Sequence, residues 1–204
     1  MDKTAWEDEN LCHYINNANF PPLAVSDHIQ SLAKCVQEIE PEYDKLLDIG
    51  CCAAEFSDAF PRFKYCGADL PHMIEQVAKR RRPHLDYIIF DASKDDFNFC
   101  RYFDVILMNS FLSELKNPLE ILNKILTSNP TYVIIHRQDI KELDKEYEKQ
   151  TYDPYDSKIQ AVNTIINRKS FEEVLRKNSY SIKVETTSFV GLPDKKTMLI
   201  VKND

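Results

Sequence analysis

The chain has 204 residues, and only three of them are glycine: Gly50, Gly67 and Gly191. Average usage is about 7% glycine, so this scarcity excludes collagen-like and glycine-rich low-complexity chains. It also excludes the P-loop and the three-glycine dinucleotide fingerprint, because each of them needs several glycines in one loop.

The charge balance is acidic, with 26 Lys and Arg residues against 33 Asp and Glu residues and a formal net charge of −7. This balance argues against nonspecific binding to nucleic acid or to an anionic membrane, since both need a basic face. The N-terminal sequence lacks the apolar stretch of a signal peptide, and no apolar run approaches the length of a membrane span. We therefore expect one domain of a cytoplasmic protein that binds neither nucleic acid nor membrane.

The six cysteines are expected to be reduced. An even number of cysteines suits disulfides in a short secreted chain, and this chain is neither short nor visibly secreted. It contains no C-x-x-C and no Cys–His pair at zinc-finger spacing, so we expect no metal site. Adjacent cysteines, such as Cys51 and Cys52, do not easily form an unstrained disulfide.

Residues 1–43 are predicted to be a lead-in and a helix that cover the site of a domain spanning 44–204. A helix is predicted to begin at a cap formed by Ser26 and Asp27 and to end before Pro41. Its apolar residues recur at helical spacing on one face, at Ile29, Leu32, Ala33, Val36 and Ile39.

From residue 45 onward, short apolar runs alternate with helical segments. The strand candidates are Lys45–Ile49, Lys64–Ala68, Tyr87–Phe90, Asp104–Met108 and Tyr132–Ile135. The helix candidates between them lie near 53–60, 72–82 and 117–128, the last with Asn117 as its cap and Pro118 at its first position. This alternation predicts a parallel sheet with right-handed crossovers.

The last third of the chain has a different pattern. Residues 139–167 are charged and rich in tyrosine, and they carry only weak helical signals. A helix near 169–178 is followed by two β-type runs, Tyr180–Phe189 and Thr197–Lys202. These runs predict a hairpin at the end of an otherwise parallel sheet.

Three predicted strands end in an aspartate. Asp48 ends the first strand and is followed by Gly50, small residues and a helix. Asp69 ends the second strand at a spacing typical of acids that accept hydrogen bonds from ribose hydroxyls. Asp91 ends the third strand. One such residue alone would be a turn or cap residue, but three on one sheet edge predict a ligand site.

The stretch Asp48-x-Gly50-x-Cys52-x-Ala54 resembles the acid-x-Gly-x-Gly-x-Gly motif of class I S-adenosylmethionine-dependent methyltransferases. The resemblance covers about residues 44–204. It implies an α/β, Rossmann-like doubly wound fold with a mostly parallel seven-stranded sheet and a C-terminal antiparallel hairpin. S-Adenosylmethionine is the cofactor that it implies.

The resemblance also implies roles for individual residues. Asp48 and Gly50 would border the methionine part of the cofactor, and Asp69 would hold both ribose hydroxyls, with Leu70 beside the adenine. The segment 103–118 resembles the fourth-strand motif and its continuation, with Ser113 and Glu114 in place of two histidines. The implied cofactor-binding residues are Asp48, Gly50, Cys51, Cys52, Asp69, Leu70, Asp91, Ala92 and Asn109.

The motif departs from the family pattern at two positions, since Cys52 replaces the second glycine and Ala54 the third. Cys52 puts a side chain where the cofactor would pass close to the backbone, which would weaken binding. Two alternatives therefore stay open: a non-catalytic binding or scaffold protein of the same fold, and an NAD(P)-dependent Rossmann oxidoreductase. The second fits less well, because Glu55 stands where the nicotinamide fingerprint has its last glycine.

On the acceptor side, His136 and Arg137 are the candidate catalytic residues, at the carboxyl end of the fifth strand. Methyl transfer to a hydroxyl needs an in-line nucleophile and a base, and the ordinary pKa of histidine, about 6.5, suits that base. Arg137 would orient an anionic acceptor. Alternatively, His136 caps the strand and Arg137 is solvated.

The acceptor is expected to be a small molecule. The chain lacks the Asn-Pro-Pro-Tyr signature of enzymes that methylate amino groups of nucleic acids, and its one basic run, 79–82, is expected to be a solvated helix end. The tyrosines of 147–167, including Tyr152 and Tyr155, could stack on a sugar or an aromatic acceptor. The pattern faintly resembles small methyltransferases of polysaccharide biosynthesis, which implies a sugar hydroxyl as acceptor.

Overall fold

The structure, a computed structural model, describes residues 12–13, 15–16, 26, 28–152 and 161–203. Its helices are α1 Ile29–Gln37, α2 Phe56–Ala59, α3 Pro71–Arg81, α4 Pro118–Thr127 and α5 Arg168–Lys177. Within α3, the middle segment Ile74–Ala78 is π-helical. Short 3₁₀ helices follow β3 and β4, at Asn98–Tyr102 and Leu112–Glu114.

The strands lie between these helices in chain order. They are β1 Lys45–Ile49, β2 Lys64–Asp69, β3 Asp86–Ile89, β4 Val105–Asn109, β5 Tyr132–Lys141, β6 Tyr147–Tyr152, β7 Ala161–Asn167, β8 Tyr180–Phe189 and β9 Leu192–Lys202. The first five strands agree with the predicted positions within a few residues, apart from the C-terminal extension of β5.

The first five strands pair in parallel in the order β3-β2-β1-β4-β5. Strand β9 then pairs antiparallel with β5, and β8 pairs antiparallel with β9. The predicted Rossmann-like, mostly parallel sheet with a C-terminal antiparallel hairpin is thereby confirmed. The strand order reverses between β1 and β4, and ligands of open α/β sheets bind in the crevice at such a reversal.

The weak helical signals over 139–167 are wrong for the parts of this segment that the structure describes, 139–152 and 161–167. Strands β6 and β7 form an antiparallel hairpin there, and β7 pairs in parallel with the end of β5. The sheet of the described part of the chain therefore has nine strands instead of seven. Tyr155 and the other residues of 153–160 lie outside the described residues.

The sheet is covered on both faces, as buried parallel strands require. On one face, α4 and α5 pack over a core that includes Leu47, Ile106, Leu122 and Phe171. On the other face, α1 and α2 pack over a second core, at Leu32, Leu46, Phe56, Leu107 and Ile134. Because β1 alternates, Asp48 faces the side of α1 and α2.

The two predicted helix caps have different outcomes. The N-cap residue of α1 is His28, two residues after the predicted cap at Ser26, while Asp27 lies outside the described residues. Asn117 is the N-cap residue of α4, as predicted, but its side chain makes no capping hydrogen bond. In the ranges that the structure describes, no helix is long and apolar enough to cross a membrane.

Candidate cofactor and acceptor site

The loop after β1 has the backbone of a glycine-rich loop although it contains one glycine. Its φ angles are +75° at Gly50, +49° at Cys52 and +55° at Ala54. Glycine adopts this left-handed region freely, whereas other residues are strained there by roughly 1–2 kcal/mol each. All three motif positions therefore keep the conformation for which glycine is suited, in spite of the two replacements.

Two of the glycines are needed because neighbouring side chains approach them closely. A Cβ at Gly50 would lie 2.8 Å from Cδ2 of Phe111, the second residue after β4. A Cβ at Gly67 would lie 2.7 Å from Sγ of Cys51. Phe111 thus packs directly on the loop, and no sequence pattern predicts this contact.

Asp69 is held by two backbone amides, one from the loop after β1 and one from the next residue in the chain. Its Oδ2 accepts from the amide of Cys52 at 2.8 Å, and its Oδ1 accepts from the amide of Leu70 at 2.7 Å. Burial raises the pKa of Asp69, and the two amides partly offset this effect. Each carboxylate oxygen has a second lone pair, so each can also accept from a ribose hydroxyl.

Asp48 lies below the loop and is completely buried. Its Oδ2 accepts a hydrogen bond from the hydroxyl of Tyr65 at 2.5 Å, and its Oδ1 is a buried atom without a partner among the described residues. Burial raises the pKa of Asp48 to about 7, and the nearby Asp69 adds to the rise. A buried oxygen of this kind fits a cationic donor, such as the ammonium group of the cofactor's methionine part.

Two arginines of the basic run donate hydrogen bonds to other parts of the chain, so the prediction that this run is a solvated helix end is wrong for them. Arg82 donates to both oxygens of Asp58 and to the carbonyl of Ala53. Arg81 donates to the carbonyl of Ile15 at 2.6 Å. The end of α3 therefore links the loop after β1 to the N-terminal segment.

The described parts of the N-terminal segment pack beside the same loop. Cys12 and Ile15 form a buried cluster with Ala53 and with Met73 and Val77 of α3. This arrangement agrees with the expectation that the lead-in covers the site, which stays a prediction.

The side chain of Asp91 is used within its own turn. Its Oδ1 accepts from the amide of Ser93 at 2.9 Å and from the hydroxyl of Ser93 at 2.6 Å, and its Oδ2 pairs with Lys94. Asp91 also lies two residues beyond the end of β3. This geometry favours a turn-forming role, and the contact of Asp91 and Ala92 with adenine stays a prediction.

At the other side of the crevice, the structure brings together Asn109, His136 and Arg137. Asn109 and His136 are register partners of β4 and β5. Arg137 lies in a β-bulge with φ +58°, and its Nε donates to Oδ1 of Asn109 at 2.8 Å. The predicted cofactor residue Asn109 and the predicted acceptor residue Arg137 are thus in direct contact.

The predicted position and pKa of His136 are wrong. Strand β5 continues to Lys141, so His136 lies within the strand, and its side chain is completely buried. Burial holds its pKa well below the usual value, with further lowering by Arg137 and His28. Both of its ring nitrogens have partners: Nε2 lies 2.9 Å from Nδ1 of His28, and Nδ1 lies 2.7 Å from Oγ1 of Thr197.

A family comparison agrees with the fold and the loop. The sequence profile described as "Methyltransferase domain" matches residues 19–182, which is more than half of the chain. The chain therefore belongs to the methyltransferase-domain family, and within it to the class I S-adenosylmethionine-dependent methyltransferases that the motif predicted. None of the curated protein sequences compared with the chain matches it.

Solved structures with the same fold include two that are described as sugar methyltransferases. CalS10 of Micromonospora echinaspora, an amino pentose methyltransferase solved with S-adenosylmethionine bound, is 12% identical with a TM-score of 0.65 over 100% of both chains. DesVI of Streptomyces venezuelae is 14% identical with a TM-score of 0.66, over 96% of this chain and 98% of that one. The sugar N-methyltransferase KedS8 of a Streptoalloteichus species is 12% identical with a TM-score of 0.64, over 100% of this chain and 96% of that one.

Proposed function

We propose that this protein transfers a methyl group from S-adenosylmethionine to a sugar, with the cofactor over the ends of β1 and β2 and the acceptor over the ends of β4 and β5. The observation that carries the proposal is the Asp69 carboxylate, which is fixed by the amides of Cys52 and Leu70. An acid held in this way cannot swing to solvent and is ready to accept from the two ribose hydroxyls.

The cofactor would be held by the residues that the motif predicted. Asp48 would accept from the methionine ammonium through its unpaired oxygen, and Leu70 would lie beside the adenine. The remaining contacts that we propose are made by Gly50, Cys51, Cys52, Asp91, Ala92 and Asn109. When bound, the cofactor supplies an activated methyl group on a sulfonium, so the task of the protein is to position the acceptor.

A sugar is the acceptor class that we favour, and a hydroxyl oxygen, as in polysaccharide biosynthesis, is the proposed methylated atom. CalS10 and KedS8 act on sugars by their descriptions, and another structure of this fold, the N-terminal domain of EvdMO1, was solved with D-fucose. Arg137 would orient an anionic part of the acceptor. Tyr152, whose hydroxyl donates to Glu114 at 2.8 Å, is 40% exposed, and its ring would stack on the sugar.

Calorimetric titration with S-adenosylhomocysteine tests the cofactor claim. We expect saturable binding at one site per chain. A folded protein that gives no heat at high ligand concentration would support the non-catalytic scaffold instead. Transfer of labelled methyl from S-adenosylmethionine to a panel of sugar nucleotides with free hydroxyl or amino groups then tests the acceptor, and product analysis shows which atom carries the methyl group.

A further inference from the structure

Two carboxyl groups lie at the carboxyl ends of the neighbouring strands β1 and β2. Asp48 is completely buried and Asp69 is half-buried, and the charge of Asp69 acts on Asp48. In the part of the chain that the structure describes, neither acid forms an ion pair with a cationic side chain. Because two like charges repel each other, this pair favours the state in which one acid keeps its proton.

The carboxyl group of Asp48 has fewer hydrogen-bond donors than that of Asp69. Asp69 accepts from two backbone amides, whereas the donor to Asp48 among the described residues is the hydroxyl of Tyr65, 2.5 Å from Oδ2. As a carboxylate, Asp48 lacks a donor at the buried Oδ1. As a carboxylic acid, it adds a second hydrogen to two groups that form one hydrogen bond. In either protonation state the site is therefore incomplete without a ligand.

Tyr65 is the donor that β2 supplies to Asp48. It lies two residues before Gly67, which is the register partner of Asp48. Side chains two residues apart on a strand share a face, so Tyr65 lies on the same face of the sheet as Asp48. The ring of Tyr65 is buried, and this packing fixes its hydroxyl beside Oδ2.

The titratable groups around Asp48 favour its protonated form when no ligand is bound. Burial is the largest cause that raises the pKa of Asp48 to about 7; Asp69 adds to the rise, and the hydroxyl of Tyr65 opposes it. The thiol of Cys51 and the hydroxyl of Tyr65 keep their own hydrogens near neutral pH, because burial raises both of their pKa values well above the usual range.

The elements packed around Asp48 bring no cation to it within the described ranges. Strand β4 and helices α1 and α2 cover this face of the sheet with apolar side chains, among them Leu107, Leu32 and Phe56. From α3, His72 acts on Asp69 and Arg81 acts on Cys52, but neither is among the groups that act on Asp48. A cation for Asp48 must therefore come from a ligand.

We infer that cofactor binding removes a proton from Asp48, and that Tyr65 is the positioning residue that holds the resulting carboxylate. The inference rests on the proposed function, in which the methionine ammonium of the cofactor pairs with Asp48. The O–H bond of the carboxylic acid breaks and its proton passes to the buffer, while the ammonium donates a hydrogen to Oδ1. The cation of the ligand then balances the second negative charge beside Asp69.

Calorimetric titration in two buffers tests the proton release. S-Adenosylhomocysteine, which carries the same ammonium group, is titrated at pH 7 in phosphate and in imidazole, because these buffers differ in ionisation enthalpy. The difference in heat should correspond to about half a proton released per site, and the affinity should fall about tenfold from pH 8 to pH 6. Binding with buffer-independent heat would overturn the inference alone, whereas absence of binding would overturn the proposed function and the inference with it.

Asp48→Asn identifies the source of the proton. The variant has no acid at this position, so the buffer dependence of the heat should vanish and the affinity should stay constant from pH 6 to 8. Proton release that persists in Asp48→Asn would assign the proton to another group, such as His72, and would overturn the inference.

Tyr65→Phe tests the positioning role. This variant lacks the donor to Oδ2, so the carboxylate is less stable and the midpoint of the affinity curve should move upward by about one pH unit. Tyr180→Phe is the matched control, because the hydroxyl of the buried Tyr180 donates to the carbonyl of Pro130 at 2.6 Å, and it should keep the midpoint. An unchanged midpoint in Tyr65→Phe would overturn the role of Tyr65.

Discussion

At the scale of single residues, the loop after β1 shows how a glycine motif tolerates other residues. Cys52 and Ala54 have positive φ angles and little exposure, so the surrounding contacts hold them in a conformation that they do not favour. The amide of Cys52, which donates to Asp69, supplies one such contact. The backbone amide thus stays in place whichever side chain occupies the position.

Replacing Cys52 separates backbone strain from the effect of the thiol. Cys52→Gly removes both the strain and the side chain, while Cys52→Ala removes the thiol and keeps the strain. We expect Cys52→Gly to be more stable than Cys52→Ala by roughly 1 kcal/mol in urea unfolding and to bind S-adenosylhomocysteine more tightly than the unaltered protein. Equal stability of the two variants would show that position 52 is not strained.

Alanine substitutions at Gly50 and Gly191 test the effect of the close approach of Phe111 to Gly50, with Gly191 as the control. Both have positive φ angles, +75° and +83°, but a Cβ at Gly191 would have no atom within 4 Å. Gly191→Ala should therefore cost only the backbone strain, roughly 1–2 kcal/mol. Gly50→Ala should cost more, because Phe111 must also move. Thermal unfolding of the two variants checks the order, and equal losses would contradict the Phe111 contact.

The two parts of the site differ in how far the sequence could predict them. Asp69 and Gly50 belong to one short strand–loop–strand unit, so local spacing was enough to place them together. His136, in contrast, is contacted by His28 and Thr197, which lie far from it in the chain and reach it because α1 packs on β8 and β9. The burial of His136, which lowers its pKa, depends on that packing and therefore cannot be predicted from a local sequence pattern.

At the scale of elements, two helix caps of the same residue type make different contacts. The side chain of Asn167 accepts from the amides of Lys169 and Ser170 at 2.8 and 3.2 Å, while that of Asn117 makes no capping bond. We expect Asn167→Ala to lower the free energy of unfolding by about 1–2 kcal/mol and Asn117→Ala to lower it by much less. Urea denaturation measures both, and similar losses would contradict the assigned caps.

Strand β6 and the extension of β5 were missed for separate physical reasons. Strands β1, β2 and β4 are buried on both faces and read as apolar runs, whereas β6 is half-buried or exposed along its whole length. Its polar residues therefore give no β signal. Strand β5 continues beyond a bulge between Ile135 and Gln138, where Arg137 has a positive φ angle. Since no glycine stands at this position, the sequence pattern does not predict the bulge.

At the scale of the whole molecule, the buried Asp48 makes stability depend on pH. Its pKa is about 7 in the folded protein against 3.8 ordinarily, so the folded state binds the proton more tightly than the unfolded state. The resulting stabilisation is complete below pH 4 and is lost as the pH rises through 7. His136 acts in the opposite direction, because its lowered pKa costs stability as the pH falls below about 6.5.

Asp48→Asn isolates the contribution of the carboxylate. Asparagine can still accept from Tyr65 but does not ionise, so the variant should gain stability relative to the unaltered protein between pH 4 and 7.5. The gain should be on the order of a few kcal/mol at the upper end. Thermal or urea unfolding at several pH values measures it. A stability difference that does not vary with pH would show that Asp48 is ionised throughout.

We propose that the carboxyl edge of β1 and β2 holds S-adenosylmethionine through Asp69. Calorimetric titration of S-adenosylhomocysteine into the unaltered protein and into the Asp69→Ala variant is the direct test. Asp91→Ala is the control, because the side chain of Asp91 forms hydrogen bonds within its own turn. We predict one binding site, a loss of affinity of about tenfold or more in Asp69→Ala, and a smaller loss in Asp91→Ala. Unchanged affinity in a folded Asp69→Ala variant would contradict a role of Asp69 in holding the cofactor.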